Sequence, residues 1–253
     1  PPPPLFFSNL KPQYPILSGL VGSEMCIRDS EYLVPGSLIF IGGREAANPY
    51  SSINWWKWSP KTSWKNPRSE NPTLDGIGYH PVVHVSWYDA IEFSLWSGME
   101  LPTEAQWEYA AKLGKVTNTR EMNIWRGIFP INNNLDDGHL KTNPVKYYKP
   151  NSIGLYDMAG NVWEWVRDWY HPNTYSMEGR SKNPIGPKSS FDPMEPTVPK
   201  RVTRGGSFLC NDHYCAGYRT TARIKSSTDT SLENTGFRCV ISKDQMANIL
   251  KKK

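Results

Sequence analysis

The sequence has no apolar run approaching the ~18 residues a membrane-spanning helix needs, so no membrane partner is expected. It also lacks a Walker A loop, a dinucleotide-binding fingerprint, a Gly-x-Ser-x-Gly elbow and a His-Glu-x-x-His helix. Nucleotide binding, serine hydrolysis and zincin chemistry therefore lose their usual signatures. Charge of one sign is not concentrated. The 29 Lys and Arg exceed the 24 Asp and Glu to give +5, but no basic stripe or groove-reading motif accompanies them, and nucleic acid is not expected. Four cysteines in 253 residues are too few for a small disulfide scaffold. No repeat at a period of about 20 to 50 residues marks a solenoid or propeller. Rings, by contrast, are abundant: 13% of residues are aromatic, including 11 Trp and 13 Tyr, too many for a disordered chain. With 22 Pro and 19 Gly interrupting any long helix, a helical bundle is excluded. The expectation is a compact, loop-rich α+β fold with a core of large side chains.

The chain changes character along its length. Pro1 to Pro4 form a run, and Leu20 to Ser30 (LVGSEMCIRDS) continue no later pattern and lack the regions of a signal peptide. Residues 1–30 read as a leader outside the domain, such as a translated junction, which leaves Cys26 without a role. Residues 31–243 read as one domain, and residues 244–253 as a basic tail ending in Lys251 to Lys253. A strand is predicted from Leu33 with a turn at Pro35-Gly36. The stretch INWWKWSPKTSW, with Trp55, Trp56, Trp58 and Trp64, reads first as an irregular segment over the core, second as a wall of a peptide or sugar groove. Ser86 and Asp89 predict a capped helix ending near Gly98, with Trp87, Ala90, Ile91, Phe93 and Leu95 on its apolar face. Thr103-x-x-Gln106 is a capping box opening a second helix, with Trp107, Ala110 and Ala111 on its apolar side, that Gly114 stops. After residue 120 short strands and long turns are expected, with a proline-rich surface loop from Pro184 to Pro199.

Several clusters could carry chemistry. In GGSFLCNDHYC, Cys210 and Cys215 are separated by four residues. Two thiolates suit Cu(I), which accepts low coordination; a zinc site would need four ligands, and a redox pair is more typically Cys-x-x-Cys. A short-loop disulfide or two buried thiols remain open readings. Lys200, Arg201, Arg204, Arg219, Arg223 and Lys225 flank the pair, a positive field expected to lower a thiol pKa. NNNLDDGHL and GLYDMAGNVWEW offer Asp136, Asp137, Asp157, Asn161 and Glu164 beside glycines, which suits structural Ca²⁺ or ordinary Asx turns. His80 and His84, the one close histidine pair, read as structural.

HPVVHVSWYDAIEFSLWSGMELPTEAQWEYAA, NIWRGIFP, DDG, GLYDMAGNVWEW, RVTRGGSFLCNDHYC and NTGFRC resemble, in order, the formylglycine-generating enzymes. They cover about 160 residues, from His80 to Cys239. The resemblance implies a single mixed domain related to the C-type lectin fold. It also implies a copper-dependent oxidoreductase that uses O₂ to convert a cysteine in a Cys-x-Pro-x-Arg motif of an unfolded sulfatase to Cα-formylglycine. By motif match, Cys210 and Cys215 would hold Cu(I), and the substrate cysteine would add a third thiolate. Trp163 and Ser207 match positions lining the family's active site, and Asn234 one near it. Asn123, Ile124, Asp137 and His139 match one family Ca²⁺ site, with Ile124 and His139 giving carbonyls. Asp157, Gly160, Val162 and Glu164 match the second.

Two departures stand out. The positions of further family cysteines hold Ser94, Ala111 and Thr220, leaving Cys239 without its partner and favouring a cytoplasmic over a secretory location. The family's blocks before the tryptophan-rich stretch are missing, so a shortened N-terminal part of the domain is expected. A monomer is expected. The rivals are a non-catalytic lectin-like module for peptide or glycan, and an iron-dependent sulfoxide synthase relative, which would need a histidine cluster.

Overall fold

The computed structural model describes residues 36–45, 51–67, 74, 76–114, 118–179, 181–242 and 245–246. The expectations for Pro1–Pro4, Cys26 and Lys251–Lys253 lie outside these residues. The helices form where local chemistry places them. Ser86 caps α2 (Trp87–Trp96), its hydroxyl accepting from Asp89 N while the Asp89 carboxylate takes the Ser86 N–H. Thr103 and Gln106 make the same reciprocal pair at the start of α3 (Glu104–Lys112). Two expectations there need correcting. Leu95 is 66% exposed rather than packed, and Ser94 is buried in its place, because it follows Ala90 by one turn. A further short helix, α4 (Thr174–Glu178), follows residue 120, where none was expected; α1 is the single turn Gly42–Glu45.

A hairpin of β1 (Gly36–Phe40) and β2 (Trp56–Pro60) pairs Phe40 with Trp56 and Leu38 with Trp58. Half of the tryptophan-rich stretch is therefore a regular strand, preceded by a 3-10 turn at Ser52–Trp55. A second small hairpin joins β3 (Gly127–Ile128) to β4 (Asn132–Asn133). The central sheet is four-stranded, in the order β7 (Arg223–Ser227), β6 (Lys200–Arg204), β5 (Trp163–Trp169), β8 (Thr235–Phe237). Its pairs are antiparallel except β5 with β8.

Alternation along β5 and β6 gives the sheet two packed faces. Val166 and Val202 meet Trp107 and Ala111 of α3 on one. Trp165 meets Val85, Ala90 and Leu101, beside α2, on the other. The indoles at the centre of both faces are satisfied: Trp165 Nε1 donates to Val85 O at 3.0 Å, and Trp107 Nε1 to Glu164 Oε2 at 2.6 Å. The proline-rich segment 184–199 is not wholly at the surface. Asp192 is fully buried, bridging Lys200 and Lys225, because a carboxylate with two ammonium partners can leave water.

Candidate functional site

Ser207 to Tyr218 form a loop leaving β6, fastened by backbone and Asx-type bonds. Cys210 N donates to Ser207 O, Cys215 N to Asn211 O, and the Asn211 side chain accepts from His213 N and Tyr214 N. The turn returns the chain so that Cys210 and Cys215 come together. Both are free thiols, so the disulfide reading does not hold in this structure. Cys210 is buried, Cys215 partly exposed, and the two are hydrogen-bonded to one another. The Cys210 S–H and then the Gly217 N–H bring the Cys215 pKa down to about 7 despite its burial. Burial, then the neighbouring Cys215 sulfur, pushes Cys210 up. Of the two, Cys215 is the sulfur that ionises first.

The expected basic field is corrected in its cause. Arg204 and Arg223 bind Glu104, Lys200 and Lys225 bind Asp192, and the Arg201 guanidinium is stacked between the Trp87 and Trp169 rings. A hydrogen bond, not this cluster, lowers the Cys215 thiol.

The thiols open onto a cavity of about 680 Å³ lined also by Trp163, Ser207 and Asn234. The structure thus brings together the five residues expected at the reactive centre. Ser207 Oγ accepts from Asn234 Nδ2 at 3.1 Å and from Leu209 N at 3.3 Å. With its lone pairs engaged, its own O–H is left to donate. Gly217 is required by close approach: a Cβ there would lie 2.3 Å from the Trp163 ring and 3.1 Å from Cys215 Sγ. One wall is a continuous set of rings. Tyr214 stacks on Phe129 with centroids 4.4 Å apart, and Trp55 meets both edge-on at 5.1 Å. The tryptophan stretch is therefore part of the groove, correcting its reading as mere cover. Gly217, Tyr214 and Phe129 were missed in the sequence, where nothing but proximity to Cys215 marked the first two.

The two loops matched to calcium meet at one corner. Asn161 N donates to Asn123 O at 2.8 Å, and a Cβ on Gly160, whose φ is 77°, would lie 2.4 Å from that oxygen. Among the described residues no three His, Cys, Asp or Glu side chains converge as a metal cluster. The first loop nevertheless fits a hard cation. Among the described residues Asp137 Oδ2 is buried without a hydrogen-bond partner. In the second, the Glu164 carboxylate is taken by Arg238 and Trp107. Burial raises the Asp157 pKa, and Lys146 N donates to its Oδ2 at 2.9 Å. Glu164, expected among the ligands there, is therefore already engaged within the fold. The histidines read as structural stay apart: His84 Nδ1 lies 2.7 Å from Ser37 Oγ, and His80 Nδ1 lies 2.8 Å from Thr142 Oγ1. Cys239 faces Ser94 Oγ at 3.4 Å, as its missing cysteine partner implied.

Residues 22–243 match the family model of the sulfatase-modifying factor enzyme 1-like domain. The chain is 44% identical over 203 residues to the formylglycine-generating enzyme of Streptomyces coelicolor, covering 75% of this chain and 62% of that protein. It is 32% identical over 211 residues to the inactive C-alpha-formylglycine-generating enzyme 2 of Mus musculus, covering 79% and 61%. The chain thus spans less than two thirds of the length of these relatives. Among solved structures, PvdO from Pseudomonas aeruginosa aligns with a TM-score of 0.50 at 21% identity, over 77% of this chain and 65% of that one, and speaks for the fold alone.

Proposed function

The chain belongs to the sulfatase-modifying factor enzyme 1-like family, and from that premise we propose that it oxidises a cysteine of a Cys-x-Pro-x-Arg motif in unfolded sulfatases to Cα-formylglycine. The observation that carries this reading is the pair of free, mutually hydrogen-bonded thiols at a cavity of about 680 Å³. The donor set fits Cu(I): two soft sulfurs stand together, and among the described residues no carboxylate lines the cavity to favour a hard cation instead. Cys210 and Cys215 would hold the metal, which when bound would activate O₂, the oxidant that takes electrons from the substrate cysteine. The protein's own residues do the rest. Trp163 and Gly217 wall the sulfur pair closely, limiting the access of water and bulky oxidants to Cys215. The Ser207 hydroxyl, held by Asn234, offers one donor to the bound substrate. The ring wall of Trp55, Phe129 and Tyr214 gives apolar contact to an extended chain. Ca²⁺ at the Asn123–Asp137 corner would brace the loops that buttress this site.

The test is mass spectrometry of a Cys-x-Pro-x-Arg peptide incubated in air with the Cu(I)-loaded protein. The expected product is the aldehyde, formed by the parent chain and not by Cys215→Ser. A folded protein that binds the peptide and yields no aldehyde would instead be a recognition relative without turnover. That second reading is favoured by the ring wall and by the inactive mouse relative.

A further inference from the structure

The two sulfurs are anchored unequally. Cys210 is buried and fixed to the core, where Trp125 N donates to its carbonyl at 2.9 Å. Cys215 is partly exposed, and the Asn211 bonds described above hold residues 211–215 only to one another. A further bond reaches inward from that turn. The Tyr218 hydroxyl donates to Asp212 Oδ1, and Asp212 stands midway between the two cysteines. Tyr218 is firmly placed: it is buried in the cluster that holds Trp163 and Cys210, and Cys215 packs against that cluster. Its backbone closes on Gly206, where a Cβ would lie 2.5 Å from Tyr218 N. Asp212, by contrast, is exposed, and water could solvate its carboxylate. The bond is therefore not needed to satisfy a buried charge. Its effect falls on where the turn sits.

We propose that Tyr218 and Asp212 are positioning residues that brace the turn between Cys210 and Cys215 and so set the spacing of the two sulfurs for Cu(I). The copper role rests on the function proposed above; the spacing of the sulfurs stands without it. A metal held by two thiolates needs both at once, and a pair already in place loses less freedom when the ion arrives. Partners that orient metal ligands from outside are typically worth about 10- to 100-fold in affinity. Asp212 serves here as an acceptor rather than as a charge. Asparagine, which keeps an acceptor oxygen, should therefore replace it.

Cu(I) affinity is measured without air, by competition with a chromophoric Cu(I) chelator, on the full chain and its variants. Tyr218→Phe keeps the ring and is expected to bind Cu(I) about tenfold more weakly. Asp212→Ala should lose a similar factor, and the double variant no more than either, because both remove one bond. Asp212→Asn should keep most of the parent affinity. Val202→Ala, which opens a cavity in the sheet away from the turn, controls for stability and should leave the affinity unchanged. A second readout needs no metal: the ratio of Cys210–Cys215 disulfide to dithiol in a glutathione buffer, read by mass spectrometry after alkylation. Glutathione disulfide takes up the two electrons there and leaves as two thiols. Loss of the brace should lower that ratio about fivefold. Parent-like affinity and ratio in Tyr218→Phe and Asp212→Ala, losses that add in the double variant, or an equal loss in Val202→Ala overturns the brace. So does Asp212→Asn falling as far as Asp212→Ala, which would put the effect in the charge. If Tyr218→Phe fails to fold, the exposed Asp212 variants decide alone. A parent chain that binds no Cu(I) removes the copper reading, and the disulfide ratio still decides the brace.

Discussion

Neighbouring residues of β6 face two different environments. Arg204 turns toward α3, where it is wholly buried and reaches Glu104 at 3.0 Å and Glu108 at 2.5 Å, while Arg223 grips Glu104 with two bonds of 2.7 Å. Thr203 turns the other way; among the described residues its hydroxyl has no partner, and Cys210 and Cys215 at the cavity are free thiols. On the α3 face charge is answered by charge within the fold. On the cavity face polar groups are left over. A fold keeps such unmet groups only where something from outside completes them or where their cost is offset elsewhere. That contrast separates the residues that hold this protein up from those that act.

The contrast can be tested by its effects on stability, the largest first. Arg204→Met takes one partner from Glu104, which keeps Arg223, and one from Glu108, which keeps Lys112, and is expected to cost about 3 kcal/mol, read from urea unfolding. A loss below about 1 kcal/mol would mean that Arg223 and Lys112 suffice for the two carboxylates. A second prediction concerns His84, whose imidazole is fully buried and whose pKa burial, then the Lys141 charge, lower to about 3. The folded state thus binds its proton more weakly than the unfolded chain, near 6.5. Its contribution is complete above that value and is lost as the pH falls toward 3. Between pH 7 and 4 the protein should lose up to about 3 kcal/mol from this group. His84→Gln should flatten the melting temperature over that range, and an unchanged slope would remove His84 as the cause.

Smaller effects are expected at the cavity. Gly217→Ala forces a methyl against Trp163 and Cys215 and should cost about 2 kcal/mol, with a disproportionate loss of turnover because the sulfur itself must move. Cys215→Ser should change stability by no more than about 1 kcal/mol, since no bond of the scaffold depends on it, yet abolish Cu(I) retention and aldehyde formation. If Cys215→Ser unfolds the chain instead, the division between the two faces of β6 fails.

Much of this was legible before the fold. Both capping boxes joined residues three apart, so Ser86, Asp89, Thr103 and Gln106 announced α2 and α3 without tertiary help. The spacing of Cys210 and Cys215, inside a loop that an Asx turn closes, placed the sulfur pair as well. The basic cluster misled: six cations near the thiols in sequence were read as their field, but most of them serve distant carboxylates or rings. The proline-rich segment misled likewise, since composition does not reveal that Asp192 is drawn inward by Lys200 and Lys225.

The sequence by itself determined the family, the sulfur pair and the two principal helices, because each rests on contacts between residues a few positions apart. Only the tertiary structure decided which charges are spent inside the protein and which remain for a partner. Arg204 finds Glu104 one hundred residues away, and Arg223 finds it 119 away. A guanidinium looks the same in sequence whether or not such a partner folds against it.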